Sequence, residues 1–301
     1  MSLTEINNHP ENGNNGEVVF TKSLLLAHKY EDKGKKNVSD PTGWWCSEKF
    51  DGYRAVWNGK EFVSRTGNKY NTPEWFSSIM PPNIALDGEL WIGREKKDFE
   101  NCGVIRHKTV TEEIDKQWKD RNIKFKVFDM PASTDAFEGR MKEIANIVKQ
   151  RAKYVKAFQL PYYPLEATKQ TKIKDDAHLQ KMFINIVKKG GEGLMLRKPN
   201  SKYEHKRSRT LLKMKPVHDA EAVIIGYKLG AGKYKGMLGS FQCHLQKNPK
   251  IKFYISGMDD AIRKSYKTTH PIGTVITFQY NETTSKGVPR FARYIRIRND
   301  V

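Results

Sequence analysis

The sequence has few cysteines, and their spacing suits neither cross-linking nor zinc. Cys46, Cys102 and Cys243 are odd in number and far apart, and no CxxC pair occurs in the 301 residues. A disulfide framework and a structural zinc site are therefore not supported. We expect three reduced, ordinary thiols.

Long apolar runs are also missing. No stretch reaches the ~18 residues of a membrane-spanning helix, and the apolar run at 24–27 (LLLA) is too short for the core of a signal peptide. We therefore expect an intracellular protein, in a cytoplasm, nucleoid or nucleus or of viral origin, with no membrane partner. No internal repeat of ~20 to 50 residues is visible.

Acidic residues are in deficit. Asp and Glu number 34 against 54 Lys and Arg, which gives a formal net charge of +20. Such an excess attracts polyanions, so nucleic acid is the leading partner, although charge alone leaves open a generally basic protein or one that adheres to anionic membranes. An apolar fraction of 38% can form a core, and 301 residues suit about two domains.

The first two thirds of the chain mix strand and helix patterns. Residues 1–20 are rich in Asn, Gly and Glu without an apolar period, which predicts a flexible tail. Apolar or β-branched runs between turn residues predict strands at 45–49, 53–57, 61–65, 84–92, 123–130, 193–197 and 210–214. Helical periodicity predicts helices at 136–155 and 176–189. This part is expected to be an α+β domain.

After Pro216 the pattern changes to short strands. They are predicted at 220–229, 238–245, 252–256, 274–280 and 291–298, with one short helix at 259–266. Five strands and a helix fit an OB-type β-barrel, a fold that often binds nucleic acid.

The sharpest local motif is KFDGYR at 49–54, which puts a lysine at a strand end before a tight turn. Its amine could act as a nucleophile. Because a free lysine has a pKa near ~10.4, burial or nearby cations such as Lys213 and Lys215 would have to lower the pKa of Lys49. Taken alone, the motif fits a solvated hairpin equally well.

Five further motifs follow in an order that resembles one superfamily. They are SRTGN at 64–68, LDGEL at 86–90, FKVFD at 125–129, EGLMLRK at 192–198 and LLKMK at 211–215. With KFDGYR, they resemble the motifs of covalent nucleotidyltransferases, which include ATP-dependent ligases and mRNA capping enzymes. From Lys22 to Arg298 the likeness is greatest to minimal DNA ligases, both small viral ones and the bacterial E-type.

The resemblance implies a catalytic set of Lys49, Lys213 and Lys215. Lys49 would attack the α-phosphate of ATP, expel pyrophosphate and hold AMP through a phosphoramidate bond. Lys213 and Lys215 alternate along one predicted strand, so they would face the same side and neutralise charge on the transferred phosphate.

The resemblance also implies how ATP and Mg²⁺ are held. Arg54 and Glu89 are similar to residues that hold the ribose, and Phe128 is similar to the aromatic that stacks on adenine. The segments 289–291 (PRF) and 294–298 (YIRIR) resemble a barrel motif that orients pyrophosphate through its last arginine. The expected ATP-binding set is Lys49, Arg54, Glu89, Phe128, Glu192, Lys213, Lys215 and Arg298. The expected metal ligands are Glu192 and Glu89.

For nucleic acid, the resemblance implies a nicked DNA duplex. Ser64 and Arg65 resemble the pair that senses the 5′-phosphate, which a ligase needs and a capping enzyme does not, and Arg54 could touch it later. The region 230–239 is too short for the DNA-encircling hairpin of longer viral ligases, so DNA must be gripped by the two domains and their basic surface.

The expected architecture is an ATP-grasp-like adenylyltransferase domain at 21–216 followed by the OB-type domain at 217–301, hinged at 216–219, in a monomer. The expected function is ATP-dependent sealing of nicks between 3′-hydroxyl and 5′-phosphate ends. An RNA ligase or an mRNA-capping guanylyltransferase, and a non-catalytic nucleic-acid-binding protein, are the alternatives. NAD-dependent ligases carry an extra N-terminal domain that binds the nicotinamide. Such a ligase is disfavoured here because only a short segment precedes Lys22.

Overall fold

The computed structural model describes residues 20, 22–30, 40–157 and 162–298. Residues 1–19 of the predicted tail lie outside this part. The chain divides into two compact units, the first ending at Met214 and the second beginning at Lys215. Among the described residues, no helix has both the length and the apolar character needed to cross a membrane.

The first unit contains short strands and five α-helices in its described part. The strands are β1 (Leu26–Lys29), β2 (Trp45–Glu48), β3 (Tyr53–Trp57), β4 (Phe62–Ser64), β5 (Lys69–Tyr70), β6 (Leu86–Trp91), β7 (Lys124–Asp129), β8 (Leu165–Ala167), β9 (Thr171–Lys172), β10 (Leu194–Arg197) and β11 (Arg207–Met214). The helices are α1 (Glu74–Ser78), α2 (Lys96–Asn101), α3 (Glu112–Asp120), α4 (Phe137–Ala157) and α5 (Asp176–Lys188), and a 3₁₀ turn covers Cys102–Arg106.

These strands form two sheets. One has the order β1-β11-β10-β2-β9 and the other the order β5-β4-β3-β6-β7-β8. Most neighbours are antiparallel, while β1 with β11 and β7 with β8 are parallel. The mixture of sheets and helices agrees with the predicted α+β class.

Alternation along the strands decides which side chains enter the core. In β7, Phe125, Val127 and Asp129 are buried, while Lys126 and Phe128 on the other face are half-buried. The buried face joins an aromatic cluster in which Trp118 of α3 is fully buried. In the other sheet, Leu194 and Leu196 of β10 pack with α5, and Met195 points to the opposite face. In each sheet, one face packs in the core and the other carries half-buried side chains such as Phe128 and Met195.

The three cysteines are buried and free. Burial raises the pKa of the Cys46 and Cys243 thiols to about 12. This agrees with the prediction of reduced, ordinary thiols, and burial makes them poor nucleophiles.

The second unit is built on one five-stranded sheet. The described part of this unit contains the strands β12 (His218–Leu229), β13 (Leu238–Leu245), β14 (Asn248–Ile255), β15 (Val275–Tyr280), β16 (Glu282–Thr283), β17 (Pro289–Arg290) and β18 (Arg293–Ile297), with helix α6 (Asp260–Thr269) and a 3₁₀ turn at Gly232–Tyr234. The sheet order is β14-β13-β12-β15-β18, and β16 pairs only with β17. The two edge strands meet at a single parallel bridge, Ser256 with Arg293. The sheet is therefore a partly open OB-like barrel and not a fully closed one.

One predicted feature of the first unit is wrong. β11 ends at Met214, whose partner is Leu194, so Lys215 lies beyond the strand. The expectation that Lys213 and Lys215 alternate along one strand therefore fails for Lys215, because the sheet pairing stops one residue earlier.

Candidate active site

The two sheets of the first unit bound a cavity of about 550 Å³. One sheet contributes Met195, Arg197 and Lys213, and the other contributes Arg54 and Phe128. Of the residues predicted from sequence, the cavity brings together Lys49, Arg54, Ser64, Arg65, Glu89, Phe128 and Lys213. Positions far apart in the chain thus meet in one cavity.

Lys49 is held at the edge of this cavity by the turn between β2 and β3. The backbone N–H of Lys49 donates to the carbonyl oxygen of Gly193 at 2.9 Å. At Gly52, a Cβ atom would lie 2.3 Å from the carbonyl oxygen of Leu90, so only glycine lets the turn approach β6 so closely. The motif KFDGYR therefore fixes Lys49 beside both sheets.

The ammonium of Lys49 forms an ion pair with Glu192, with Nζ 2.6 Å from Oε2. Burial tends to lower the pKa of Lys49, but the carboxylates of Glu192, Glu89 and Asp51 outweigh it and the pKa is raised. The expectation of a lowered lysine pKa is contradicted in this structure, because carboxylates and not cations surround the amine. Lys49 is held as a charged ammonium.

Arg54 is fixed by a buried carboxylate. Its Nε and Nη2 donate to the two oxygens of Asp87 at 3.0 and 2.6 Å, and Asp87 is fully buried. The hydroxyl of Tyr203 donates to the same carboxylate at 2.7 Å. This two-point contact sets the plane of the guanidinium before any ligand arrives.

Glu89 is a half-buried carboxyl on β6 that lines the cavity. Burial raises its pKa to about 8, and the nearby carboxylates of Glu192 and Asp87 add to the effect while Lys49 and Arg54 oppose it. Glu89 is therefore largely protonated at neutral pH. Neighbouring carboxylates repel each other when both are ionised. A cation bound between them relieves this repulsion, so such a cluster favours cation binding.

Phe128 and Lys213 face the cavity from opposite sheets. Phe128 occupies the non-core face of β7, and the Arg54 guanidinium lies 5.5 Å from its ring centroid. Ser64 ends β4 and the exposed Arg65 begins the turn that follows, and the Ser64 hydroxyl accepts from the N–H of Asn68 at 3.1 Å. The cavity therefore offers a flat aromatic face near its cations.

Lys215 and Arg298 belong to the second unit. The Lys215 ammonium lies 4.9 Å from the ring centroid of Phe291. Arg298 forms an ion pair with Glu221, with Nη1 3.2 Å from Oε1. The roles expected of these two residues stay predictions.

Several cavity residues escaped the sequence reasoning, among them Tyr70, Gln170 and Arg207. Each lies at or next to the end of a strand, where the alternation of buried and exposed residues carries little information. Phe291 in the second unit lies in the PRF segment singled out from the sequence, but it received no role of its own there. The Phe291 side chain is 59% exposed, and its backbone has a φ of 59°, which is unusual for an aromatic residue. An exposed aromatic ring on a strained backbone indicates a functional position, and this signal is visible only in the structure.

Two protein-family models match the chain. A model described as an ATP dependent DNA ligase domain matches residues 25–215, and one described as a DNA ligase OB-like domain matches residues 229–298. A DNA ligase of Haemophilus influenzae is 34% identical over 275 residues, which is 91% of each protein. A DNA ligase of African swine fever virus (isolate Warthog/Namibia/Wart80/1980) is 25% identical over 80% of this chain and 57% of the viral protein.

A solved structure from a study of Lig E DNA ligases, described as binding DNA with a minimal scaffold, is also similar. It has a TM-score of 0.77 and 29% sequence identity, covering 93% of this chain and 100% of that one. With the family matches, these likenesses show that the chain belongs to the ATP-dependent DNA ligase family. The predicted enzyme class, ATP use, DNA binding and fold class are confirmed.

Proposed function

We propose that the chain seals nicks in duplex DNA, joining a 3′-hydroxyl to a 5′-phosphate, with Lys49 as the nucleophile. One observation carries this proposal: the Lys49 ammonium, 2.6 Å from Glu192, stands at a cavity that Arg54 and Lys213 also line. The family performs adenylyl transfer. A lysine amine can form a phosphoramidate, and Lys49 is the cavity lysine that the motif KFDGYR marks for this role.

The reaction would proceed in three displacements. After losing a proton, Lys49 attacks the α-phosphorus of ATP, the bond to pyrophosphate breaks and AMP stays on the amine. A 5′-phosphate oxygen at the nick then attacks that phosphorus and releases the lysine. Finally the 3′-hydroxyl attacks the adenylated 5′-phosphate, and AMP leaves.

The roles of the remaining cavity residues follow from their chemistry. Phe128 would stack on the adenine, and Glu89, protonated at neutral pH, would hydrogen bond to the ribose. Arg54, already oriented by Asp87, would bind ribose and later the nick phosphate, and Lys213 would neutralise charge on the transferred phosphate.

Mg²⁺ fits the two carboxyl groups beside Lys49. Glu192 supplies a hard oxygen ligand, and Glu89 would supply a second once Mg²⁺ displaces its proton. Burial first, and then the charge of Glu192, raise the pKa of Glu89, and a divalent cation offsets both effects. Bound there, Mg²⁺ would neutralise charge on the phosphate oxygens.

DNA contact is proposed for residues of both units. Ser64 and Arg65 would bind the 5′-phosphate of a nicked duplex. Arg298 and Lys215, in the second unit, would bind the phosphates of ATP. Phe291 would pack against the duplex, since its exposed ring lies 4.9 Å from Lys215 and 5.4 Å from the guanidinium of Arg290. A domain at 21–216, an OB-type domain at 217–301 and a monomer complete the proposal.

The test is covalent labelling followed by discharge. The protein is incubated with Mg²⁺ and, separately, α-labelled ATP, GTP and NAD, and the labelled protein is then mixed with nicked DNA or RNA duplexes. We expect label from ATP alone, none in Lys49→Ala, and discharge into sealed DNA and AMP. Lys119→Ala is the matched control, because Lys119 forms an equally short 2.6 Å ion pair, with Asp115, on helix α3.

Retention of label in Lys49→Ala would reject the proposed nucleophile. Discharge only by RNA ends would reject the proposed substrate while leaving the nucleophile in place.

A further inference from the structure

A row of four residues crosses the floor of the cavity in the first unit. In the antiparallel pairing of β2 with β9, Cys46 faces Thr171, so the next position of the register sets Ser47 opposite Gln170. Ser47 pairs with Met195 of β10, and Met195 pairs with Lys213 of β11. Directly opposite residues share a face of the sheet. All four line the cavity.

The chemistry of this row changes from one end to the other. Lys213 supplies an ammonium at one end, Met195 an apolar thioether next to it, and Ser47 and Gln170 a hydroxyl and a carboxamide beyond. With neighbouring strands ~4.8 Å apart, Gln170 stands ~14 Å from Lys213 at the backbone. A nucleotide laid along the row would have its phosphates near Lys213 and its base toward Gln170.

A backbone contact also connects the segment before Gln170 to the other sheet. The N–H of Thr168 donates to the carbonyl oxygen of Val127 at 2.7 Å, which ties the segment before Gln170 to the strand that bears Phe128. The segment 168–170 therefore bridges the two sheets at the end of the cavity away from Lys213.

The side chain of Gln170 is half-buried and makes no hydrogen bond with another residue of the described part of the chain. A carboxamide offers donors and an acceptor together. Adenine presents a matching edge, with a 6-amino donor beside a ring-nitrogen acceptor, and glutamine pairs with such an edge through two hydrogen bonds.

We propose that Gln170 is a specificity-determining residue that reads the edge of adenine, with Ser47 beside it. The carboxamide oxygen accepts from the 6-amino group, and its N–H donates to the adjacent ring nitrogen. This inference rests on the proposed function, because it assumes that the nucleotide lies with its phosphate at Lys49 and Lys213.

The test measures binding of AMP, which has no pyrophosphate to lose and cannot label Lys49. The full-length protein is first treated with pyrophosphate to remove any covalently held AMP. Affinities for AMP and for purine riboside 5′-monophosphate, which lacks the 6-amino group, are then compared by calorimetry. The wild-type protein should bind AMP about tenfold more tightly, the value of one well-placed hydrogen bond.

In Gln170→Ala, AMP affinity should fall about tenfold, while affinity for the analogue falls less, so that the preference for the amino group is largely lost. Gln170→Glu has nearly the same shape and keeps an acceptor for the 6-amino group, but it loses the donor to the ring nitrogen. It should therefore lower the affinity for both ligands while the preference for AMP over the analogue is retained. Lys169→Ala, at the exposed neighbouring position, is the control and should leave both affinities unchanged.

Equal losses for both ligands in Gln170→Ala, or an unchanged preference, would overturn the assignment. The Lys49 labelling experiment is independent of this result. Label with an unchanged base preference rejects Gln170 alone, whereas a Gln170-dependent preference without Lys49 label rejects the nucleophile alone.

Discussion

Replacing Glu89 by glutamine should stabilise the first unit at alkaline pH and have little effect in weak acid. Burial raises the pKa of Glu89 from its ordinary 4.5 to about 8. Between these values the folded protein holds a proton that the unfolded chain releases, so folding is progressively disfavoured as pH rises toward 8. Glutamine has nearly the same shape and does not titrate.

The size of the effect follows from that difference in pKa. A pKa that moves from 4.5 to about 8 on folding corresponds to about 5 kcal/mol of stability lost between those pH values. Water reaches a half-buried carboxyl and screens its charge, so this is an upper bound. We expect Glu89→Gln to gain at least ~2 kcal/mol over the wild-type protein between pH 5 and pH 9.

Tryptophan fluorescence isolates the relevant unit. All six tryptophans lie before Met214, so urea titrations followed by this signal report the first unit alone. Their positions are Trp44, Trp45, Trp57, Trp75, Trp91 and Trp118. Glu74→Gln, at an exposed position, should show the same difference from wild type at both pH values. A Glu89→Gln difference that is equal at pH 5 and pH 9 would refute a raised pKa of Glu89 in the folded protein.

Three further predictions use other contacts. Asp129→Asn should destabilise the first unit by about 3–5 kcal/mol in the same urea assay, because Asp129 is the buried counter-ion of two buried arginines. Glu192→Gln should lower the pKa of Lys49, so that an amine-reactive probe modifies Lys49 faster at pH 8, as read by peptide mapping. Phe291→Gly should raise the melting temperature by relieving a positive φ but weaken binding of nicked duplex in a gel-shift assay.

Each of these predictions has an outcome that contradicts it. Unchanged stability in Asp129→Asn would mean that the two arginines find other partners. Slower modification of Lys49 in Glu192→Gln would mean that Glu192 does not keep the amine protonated. Unaltered DNA affinity in Phe291→Gly would remove Phe291 from the DNA surface.

Strands with strong local patterns could be predicted from sequence. The run at 53–57 is observed as Tyr53–Trp57, since aromatic and β-branched residues there lie between two turn dipeptides containing Gly52 and Gly59. Helix α5 begins at Asp176, where the predicted helix begins, and the Asp175 side chain caps it by accepting from the N–H of His178 at 2.7 Å.

Helix α3 was missed because its apolar stripe is too narrow to stand out. Among the charged residues of Glu112–Asp120, only Ile114 and Trp118 are buried, one turn apart. Thr111 caps the helix by accepting from the N–H of Ile114 at 3.3 Å, a local signal that could have indicated it. Its stability comes from the Trp118 ring, which packs on residues distant in sequence.

For the candidate site, too, some features could be predicted from sequence and others required the fold. Motifs identify Lys49 and Glu192, but the two are 143 positions apart, and only the fold reveals that they form an ion pair that raises the lysine pKa. Lys215 was assigned to a strand because alternation does not say where pairing ends. Gln170 was missed because its position depends on the register of a two-residue strand.

The burial of all three cysteines has a practical consequence for studying motion in this enzyme. With Cys46, Cys102 and Cys243 shielded, a thiol-reactive dye finds no native target at the surface of the described structure. One new surface cysteine in each unit would therefore carry a donor and an acceptor fluorophore selectively. Energy transfer between them would measure whether the distance between the two units changes when ATP or DNA is added, with the native thiols left in place.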